Sequence, residues 1–234
     1  MPEIELITFD AAQTIVQVDW NPRLFALGCA QAVGLSLDDG LAGDVYERLL
    51  GTRWLEYQRI NTTRDVALCE GFWRELSHDW LAKVGAPLEK LDAMLEQAEK
   101  CMYATDSPIF QPYEDTIPAL TALREAGYRL AVISNWDFSL HRVLRVHQLS
   151  GLFELVLASF EEGIEKPAPE IFHIALSRLN VHPSRALHVG DDPYDDVHGA
   201  HRAGMRALLI DRAQKQPAPG VIATLHDIAK AIQE

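Results

Sequence analysis

The sequence predicts an α/β protein, a parallel sheet core into which an all-helical unit is inserted. Three observations predict it. The chain opens on an apolar, β-rich run that ends in a carboxylate, Ile4-Glu5-Leu6-Ile7-Thr8-Phe9-Asp10. Between residues 16 and 107 the apolar pattern repeats at helical spacing, and from Pro112 onward strand-like and helix-like segments alternate. Such alternation means βαβ units and a parallel sheet. The opening run reads as a buried strand, and it must join that sheet because a lone buried strand leaves its backbone unpaired. The helical block is therefore an insertion.

Taken in order, helices are expected over 22–33, 37–50, 66–84 and 88–103, where apolar residues fall three and four apart and Gly34, Gly51 and Gly85 act as stops. The segment after Pro112 predicts a helix over 115–126, a strand over 128–134 and a helix over 138–148. A strand over 154–159, a helix over 169–179 and a strand over 186–190 follow. A helix over 195–203, a strand over 206–210, a turn from Pro217 to Gly220 and a last helix over 221–232 complete the chain. The expected division is a core of 1–15 with 108–234 and a helical unit of 16–107, with the two crossings between them acting as a hinge.

Composition narrows the class. The chain has 234 residues, 48% hydrophobic and 24% charged, which is globular. No apolar run reaches the roughly 18 residues of a membrane span, and Met1-Pro2-Glu3 shows no basic region, so neither a membrane segment nor a signal peptide is expected. Cys29, Cys69 and Cys101 have no CxxC spacing; they suit a reducing, cytoplasmic setting and read as small buried apolar residues. A net charge of −13 argues against nucleic acid or an anionic membrane as partner. It leaves room for a small anionic molecule, because a metal ion and a lysine can reverse the sign locally. A monomer or homodimer is expected.

In an open parallel sheet, ligands bind outside the carboxyl ends of the strands. Here those ends carry Asp10, Ser134-Asn135 and Gly190-Asp191-Asp192, with Lys166 in the loop after the strand over 154–159. Asp191, Asp192, Asp195 and Asp196 crowd carboxylates near Asp10, and like charges held close at low dielectric demand a positive partner. Hard oxygen ligands with room for water suit Mg2+. Lys166 is the matching cation, and the Ser134 hydroxyl, the Asn135 amide and the free N–H groups of a helix start make a phosphate cradle.

The series Phe9-Asp10-Ala11-Ala12-Gln13-Thr14, Val132-Ile133-Ser134-Asn135, Glu165-Lys166-Pro167 and Val189-Gly190-Asp191-Asp192, with Asp195-Asp196 beyond, resembles the four motifs of the haloacid dehalogenase-like (HAD) superfamily. The resemblance runs the length of the chain. It implies a Rossmann-like parallel sheet core, the HAD fold, with an inserted all-helical type-one cap that closes over the cleft. It also implies an aspartyl-phosphate formed at Asp10 with Lys166 as charge stabiliser. Thr14 would support the nucleophile and, with Ser134 and Asn135, belong to the phosphate-binding set. Asp10, Asp191 and the carbonyl of Ala12 would hold Mg2+, with Asp196 or Asp195 acting through water.

One departure limits what is carried over. Phosphatases of the family place a second aspartate two residues after the nucleophile to protonate the leaving group and then activate water. This chain has Ala12 there, and Gln13 where glycine is common. Such acid–base help contributes about 10²–10⁴-fold. Four readings stay open: a phosphatase with a substitute acid or restricted to good leaving groups; a phosphonatase, in which a cap lysine would be needed where Arg53 stands; a metal-free haloacid dehalogenase; and a catalytically weak binding or regulatory protein, like the rhythmically-expressed-gene-two-like branch, which also lacks that aspartate. The expected function is Mg2+-dependent hydrolysis of a small phosphorylated metabolite.

Among lesser features, Arg53 is the candidate to select substrate from the helical unit. His188 reads as a satisfied structural histidine, Trp136 as packing, and Asp192 as the cap of the helix beginning near Pro193. Trp54, Tyr57, Phe72, Trp73 and Trp80 read as the core of the helical unit.

Overall fold

The computed structural model describes residues 3–213 and 218–233. In chain order, strands β1 (Leu6–Phe9) and β2 (Val16–Val18) lead into helices α1 (Pro22–Ala32), α2 (Asp39–Asn61), α3 (Val66–Lys83) and α4 (Leu91–Met102). Then come β3 (Phe110–Pro112), α5 (Thr116–Glu125), β4 (Arg129–Ser134), α6 (Leu140–Val146), β5 (Leu155–Ala158), α7 (Ser159–Glu162) and α8 (Pro169–Leu179). The chain closes with β6 (Ala186–Gly190), a π-helical turn Pro193–His198, α9 (Gly199–Arg202), β7 (Arg206–Ile210), β8 (Val221–Ile222) and α10 (Ile228–Gln233).

Two compact units result. One takes the chain up to Val18 and from Gln111 onward, and the other is Asp19–Phe110. In the first, six strands form one parallel sheet in the order β5-β4-β1-β6-β7-β8. Strand β1 lies between β4 and β6, and its four residues are buried on both faces. The chain builds outward from β1 to β5, then returns to the other side of β1 through β6, so strand order reverses at the carboxyl end of β1, where such sheets hold their ligands. Behind β4, β5 and β6 lies a core of Ile133, Leu157, Ile171, Phe172 and Leu176.

The second unit has four α-helices, and the first three have side-chain caps at their starts. Asn21 accepts from Leu24 N–H with Pro22 in the first turn, and Asp38 and Asp65 cap α2 and α3. Trp80 is fully buried and donates its indole N–H to the Ala42 carbonyl at 2.8 Å, with Tyr46 edge-on at 5.3 Å between ring centroids. Tyr57 and Phe72 are buried beside Trp73, as core residues should be, but Trp54 stays 42% exposed. Cys29 and Cys69 are buried and Cys101 is half-buried.

Two expected elements fail. Helix α2 runs through Gly51 to Asn61; a glycine inside a helix costs only about 1 kcal/mol and stops nothing where the chain does not turn left-handed. Gly34 and Gly85, which do end helices, sit at φ +79° and +67°. The segment expected as one helix over 221–232 is β8, then a 3-10 turn capped reciprocally by Thr224 and Asp227, then α10. Val221 and Ile222 pair with the open edge at Leu209 and Ile210, and that pairing overrides helical spacing. Strands β2 and β3, which pair as a small separate sheet, were too short to show a period. Of the expected turn before β8, Pro217 lies outside the described residues.

Candidate active site

Asp10 follows β1 directly, and its N–H extends the ladder to the Val189 carbonyl at 2.9 Å. Its Oδ1 receives the Ser134 hydroxyl at 2.8 Å and Lys166 Nζ at 2.6 Å. No described residue donates to its Oδ2. Lys166 reaches across from the segment after α7, and its ammonium also touches Asp196 Oδ1 at 2.5 Å. Three side chains from three parts of the chain, Asp10, Lys166 and Asp196, are thus locked together with almost no exposure.

The lock has a second layer. His188, fully buried on β6, bonds Asp196 Oδ1 through Nε2 at 3.0 Å and the Thr8 hydroxyl through Nδ1 at 2.8 Å. A carboxylate can only accept, so Nε2 carries the proton and Thr8 donates to Nδ1. Asp196 Oδ2 accepts the Asp192 N–H at 3.0 Å, so both oxygens of Asp196 are taken. Asp192 caps the π-helical turn, accepting from Tyr194 and Asp195 N–H, both at 2.7 Å. Gly190 makes room: a Cβ there would lie 2.1 Å from the Asp196 carboxyl.

The other expected residues fall as follows. Thr14 is buried and its hydroxyl donates to Asp191 Oδ1 at 3.4 Å. Ala12 sits in the tight loop between β1 and β2, bridged to Val16. Asn135 directs its amide at the backbone of Lys166, accepting from its N–H at 2.8 Å and donating to its carbonyl at 2.9 Å, which fixes the lysine. Asp195 stands outside the cluster, 3.4 Å from Asn135 Nδ2. Arg53 belongs to α2, where it pairs with Glu56, Glu75 and Asp79 and lies over the Phe72 ring. Trp136 donates to Ser139 Oγ at 2.9 Å. Sequence reading missed the part played by Thr8 and Gly190 and gave His188 no link to the cluster. A histidine inside an otherwise apolar strand was the available signal.

Electrostatics follow from burial. Desolvation raises the Asp10 pKa against the opposing pull of Lys166. It also raises Asp191, to about 6, helped by the charges of Asp10 and Asp196. Burial would raise Asp196 too, but the His188 hydrogen bond and the Lys166 charge hold it well below the usual carboxylate range. Burial works to lower Lys166, and the two aspartates outweigh it, leaving it raised. Desolvation lowers His188 and keeps it neutral.

Ligand oxygens of Asp10, Asp191 and Asp196 lie within 4.8 Å of one another. Three carboxylates against one ammonium and a neutral imidazole leave two negative charges in a desolvated pocket, the deficit a divalent cation would fill. Asp196 already accepts from Lys166, His188 and the Asp192 N–H, so Asp10 and Asp191 are the less encumbered ligands such an ion would find.

The chain matches the haloacid dehalogenase-like hydrolase family over residues 4–204. The chain belongs to that family. This HAD-like hydrolase is 35% identical over 142 residues to a glyceraldehyde 3-phosphate phosphatase of Methanopyrus kandleri, a match spanning 58% of this chain and 58% of that relative's length. It is 26% identical over 209 residues to haloacid dehalogenase-like hydrolase domain-containing protein 3 of Bos taurus, covering 89% of this chain and 82% of the relative. The crystal structure of a 2-haloacid dehalogenase from Pseudomonas syringae superposes with a TM-score of 0.64 at 23% identity over 98% of both chains, which shows a shared fold. The α/β HAD fold expected from the motifs is therefore the fold of this chain. No helix among the described residues is long and apolar enough to cross a membrane.

Proposed function

We propose that this HAD-like hydrolase is a Mg2+-dependent phosphatase that transfers the phosphoryl group of a small metabolite to Asp10 and then to water. The observation that carries the reading is the pair of buried contacts from Lys166 to Asp10 and Asp196 beside Asp191. Lys166 and Ser134 hold Oδ1 of Asp10, which leaves Oδ2 as the attacking oxygen. Mg2+ held by Asp10, Asp191 and the Ala12 carbonyl would supply charge neutralisation for the phosphoryl group. Asp196 keeps Lys166 aimed, and Asn135 fixes its backbone. We leave Arg53 out of this machinery, because its guanidinium is already held by three carboxylates of its own unit.

Attack on phosphorus forms the Asp10–phosphoryl bond and breaks the bond to the leaving oxygen, which departs with the electron pair. Ala12 offers no proton for that oxygen, so aryl and acyl phosphates, which leave as stable anions, are the favoured substrates. The same lack slows hydrolysis of the aspartyl-phosphate. Neither nucleic acid nor membrane is a partner in this reading, the protein works in the cytoplasm, and it is a monomer or homodimer.

The test is turnover of an aryl phosphate with and without Mg2+, in the wild type and in Asp10→Asn. Activity that requires both the metal and Asp10, with a phosphate-mass adduct at Asp10 after quenching, supports the reading. Fast turnover of a plain alkyl phosphate would argue that another group replaces the missing acid. If neither metal nor Asp10 matters, phosphatase chemistry is excluded and a role in binding a ligand takes its place, the reading favoured by Ala12 itself.

A further inference from the structure

The loop from Ala11 to Val16 carries the Ala12 carbonyl and the Thr14 hydroxyl, and Gln13 within it has φ +53°. A non-glycine residue there costs of order 1 kcal/mol; Gln13 N–H to the Val16 carbonyl at 2.7 Å and Val16 N–H to the Ala11 carbonyl at 2.9 Å brace the turn from within, and a side chain from outside the loop adds to them. Arg212, just beyond β7, does so. Its Nη2 donates to the Thr14 carbonyl at 2.6 Å and its Nη1 lies 3.1 Å from both oxygens of Asp115. Its guanidinium stacks 3.6 Å from the centre of the Tyr113 ring. The Tyr113 hydroxyl donates to Gln13 Oε1 at 2.8 Å, and Gln13 Nε2 donates to the Val18 carbonyl at 2.8 Å. Gln13, Tyr113 and Arg212, together with Asp191, line a cavity of about 350 Å3.

We infer that Arg212 is a positioning residue for the divalent cation, acting through Thr14 and the Tyr113–Gln13 strut on Asp191 and the Ala12 carbonyl. This rests on the proposed metal-dependent reading. The planar fork of arginine reaches a carboxylate and a carbonyl while stacking on a ring; a lysine ammonium, a point charge, keeps one of these contacts at a time. Groups that orient metal ligands from behind typically change metal affinity about 10–100-fold when replaced.

Calorimetric titration of Mg2+ into the full chain tests it, using wild type, Arg212→Lys, Thr14→Val and the double variant. About tenfold weaker binding is expected in each single variant, with little further loss in the double, since both act along one route. Unchanged affinity in Arg212→Lys would overturn the inference and leave the metal-dependent reading intact. Losses that multiply in the double variant would overturn the route through Thr14. A wild type that binds no Mg2+ would remove both readings. Should Arg212→Lys fail to fold, Tyr113→Phe breaks the strut while keeping the ring, and it must also weaken Mg2+ binding; equal affinity there overturns the clamp.

Discussion

At the scale of single residues, Lys166 is the cation around which the buried carboxylates gather. Its ammonium is shared by two buried carboxylates at 2.6 and 2.5 Å. Removing one member of a buried ion pair leaves the other charge uncompensated, a loss of about 3–5 kcal/mol. Lys166→Met is accordingly expected to lower the urea midpoint steeply as well as abolish turnover, and a midpoint within error of wild type would contradict the picture. Asp191 gives a pH signature. Its carboxyl titrates at about 6 in the folded chain and in the ordinary carboxylate range once unfolded, so the folded state holds this proton more tightly. The contribution of Asp191 to metal-free stability therefore falls as pH rises from about 4 to 6 and is level above that. Binding of Mg2+ at the proposed site would run the other way, because a ligating Asp191 must lose its proton. Mg2+ affinity is expected to fall about tenfold per pH unit below 6, and calorimetry at pH 5 and 7 showing equal affinities would refute it.

At the scale of elements, the end of β6 is tightly constrained. Gly190 ends the strand, Asp191 faces the cluster, Asp192 caps the next turn and Asp196 folds back within bonding distance. A side chain at 190 would collide with the Asp196 carboxyl. Gly190→Ala is expected to cost about 2–3 kcal/mol from overpacking and to disturb metal binding, both readable by denaturant melts and Mg2+ titration. The start of α3 offers the contrast. Asp65 Oδ1 accepts from Ala67 and Leu68 N–H at 2.9 and 3.2 Å. Asp65→Ala should cost about 1 kcal/mol in the same melt and leave Mg2+ affinity unmoved. Strands such as β1, β4 and β6 were legible because runs buried on both faces show in composition alone. Strand β8 was not, because two residues show no period and only the open edge of β7 makes them a strand.

For the whole molecule, a cation bound only by the folded state adds stability by mass action. Mg2+ at about a hundred times its dissociation constant should add about 2.7 kcal/mol, seen as a thermal midpoint several degrees higher than in a chelator. Asp191→Asn should erase most of that shift, and a shift retained in full would place the ion elsewhere. The sequence by itself marked out the parallel sheet, the helical segment, the strand-end residues Asp10, Ser134 and Asp191 and the loop residue Lys166, because burial and backbone pairing leave a periodic mark on a linear chain. Which of the crowded carboxylates turns inward was decided by tertiary structure alone. Asp196 accepts from Lys166, His188 and Asp192 N–H while Asp195, its neighbour in sequence, stands aside. The same holds for Asn135 on the Lys166 backbone and Arg212 on Thr14, separated by 31 and 198 positions. Contacts between residues so far apart carry no period, and only packing brings their charges and donors together.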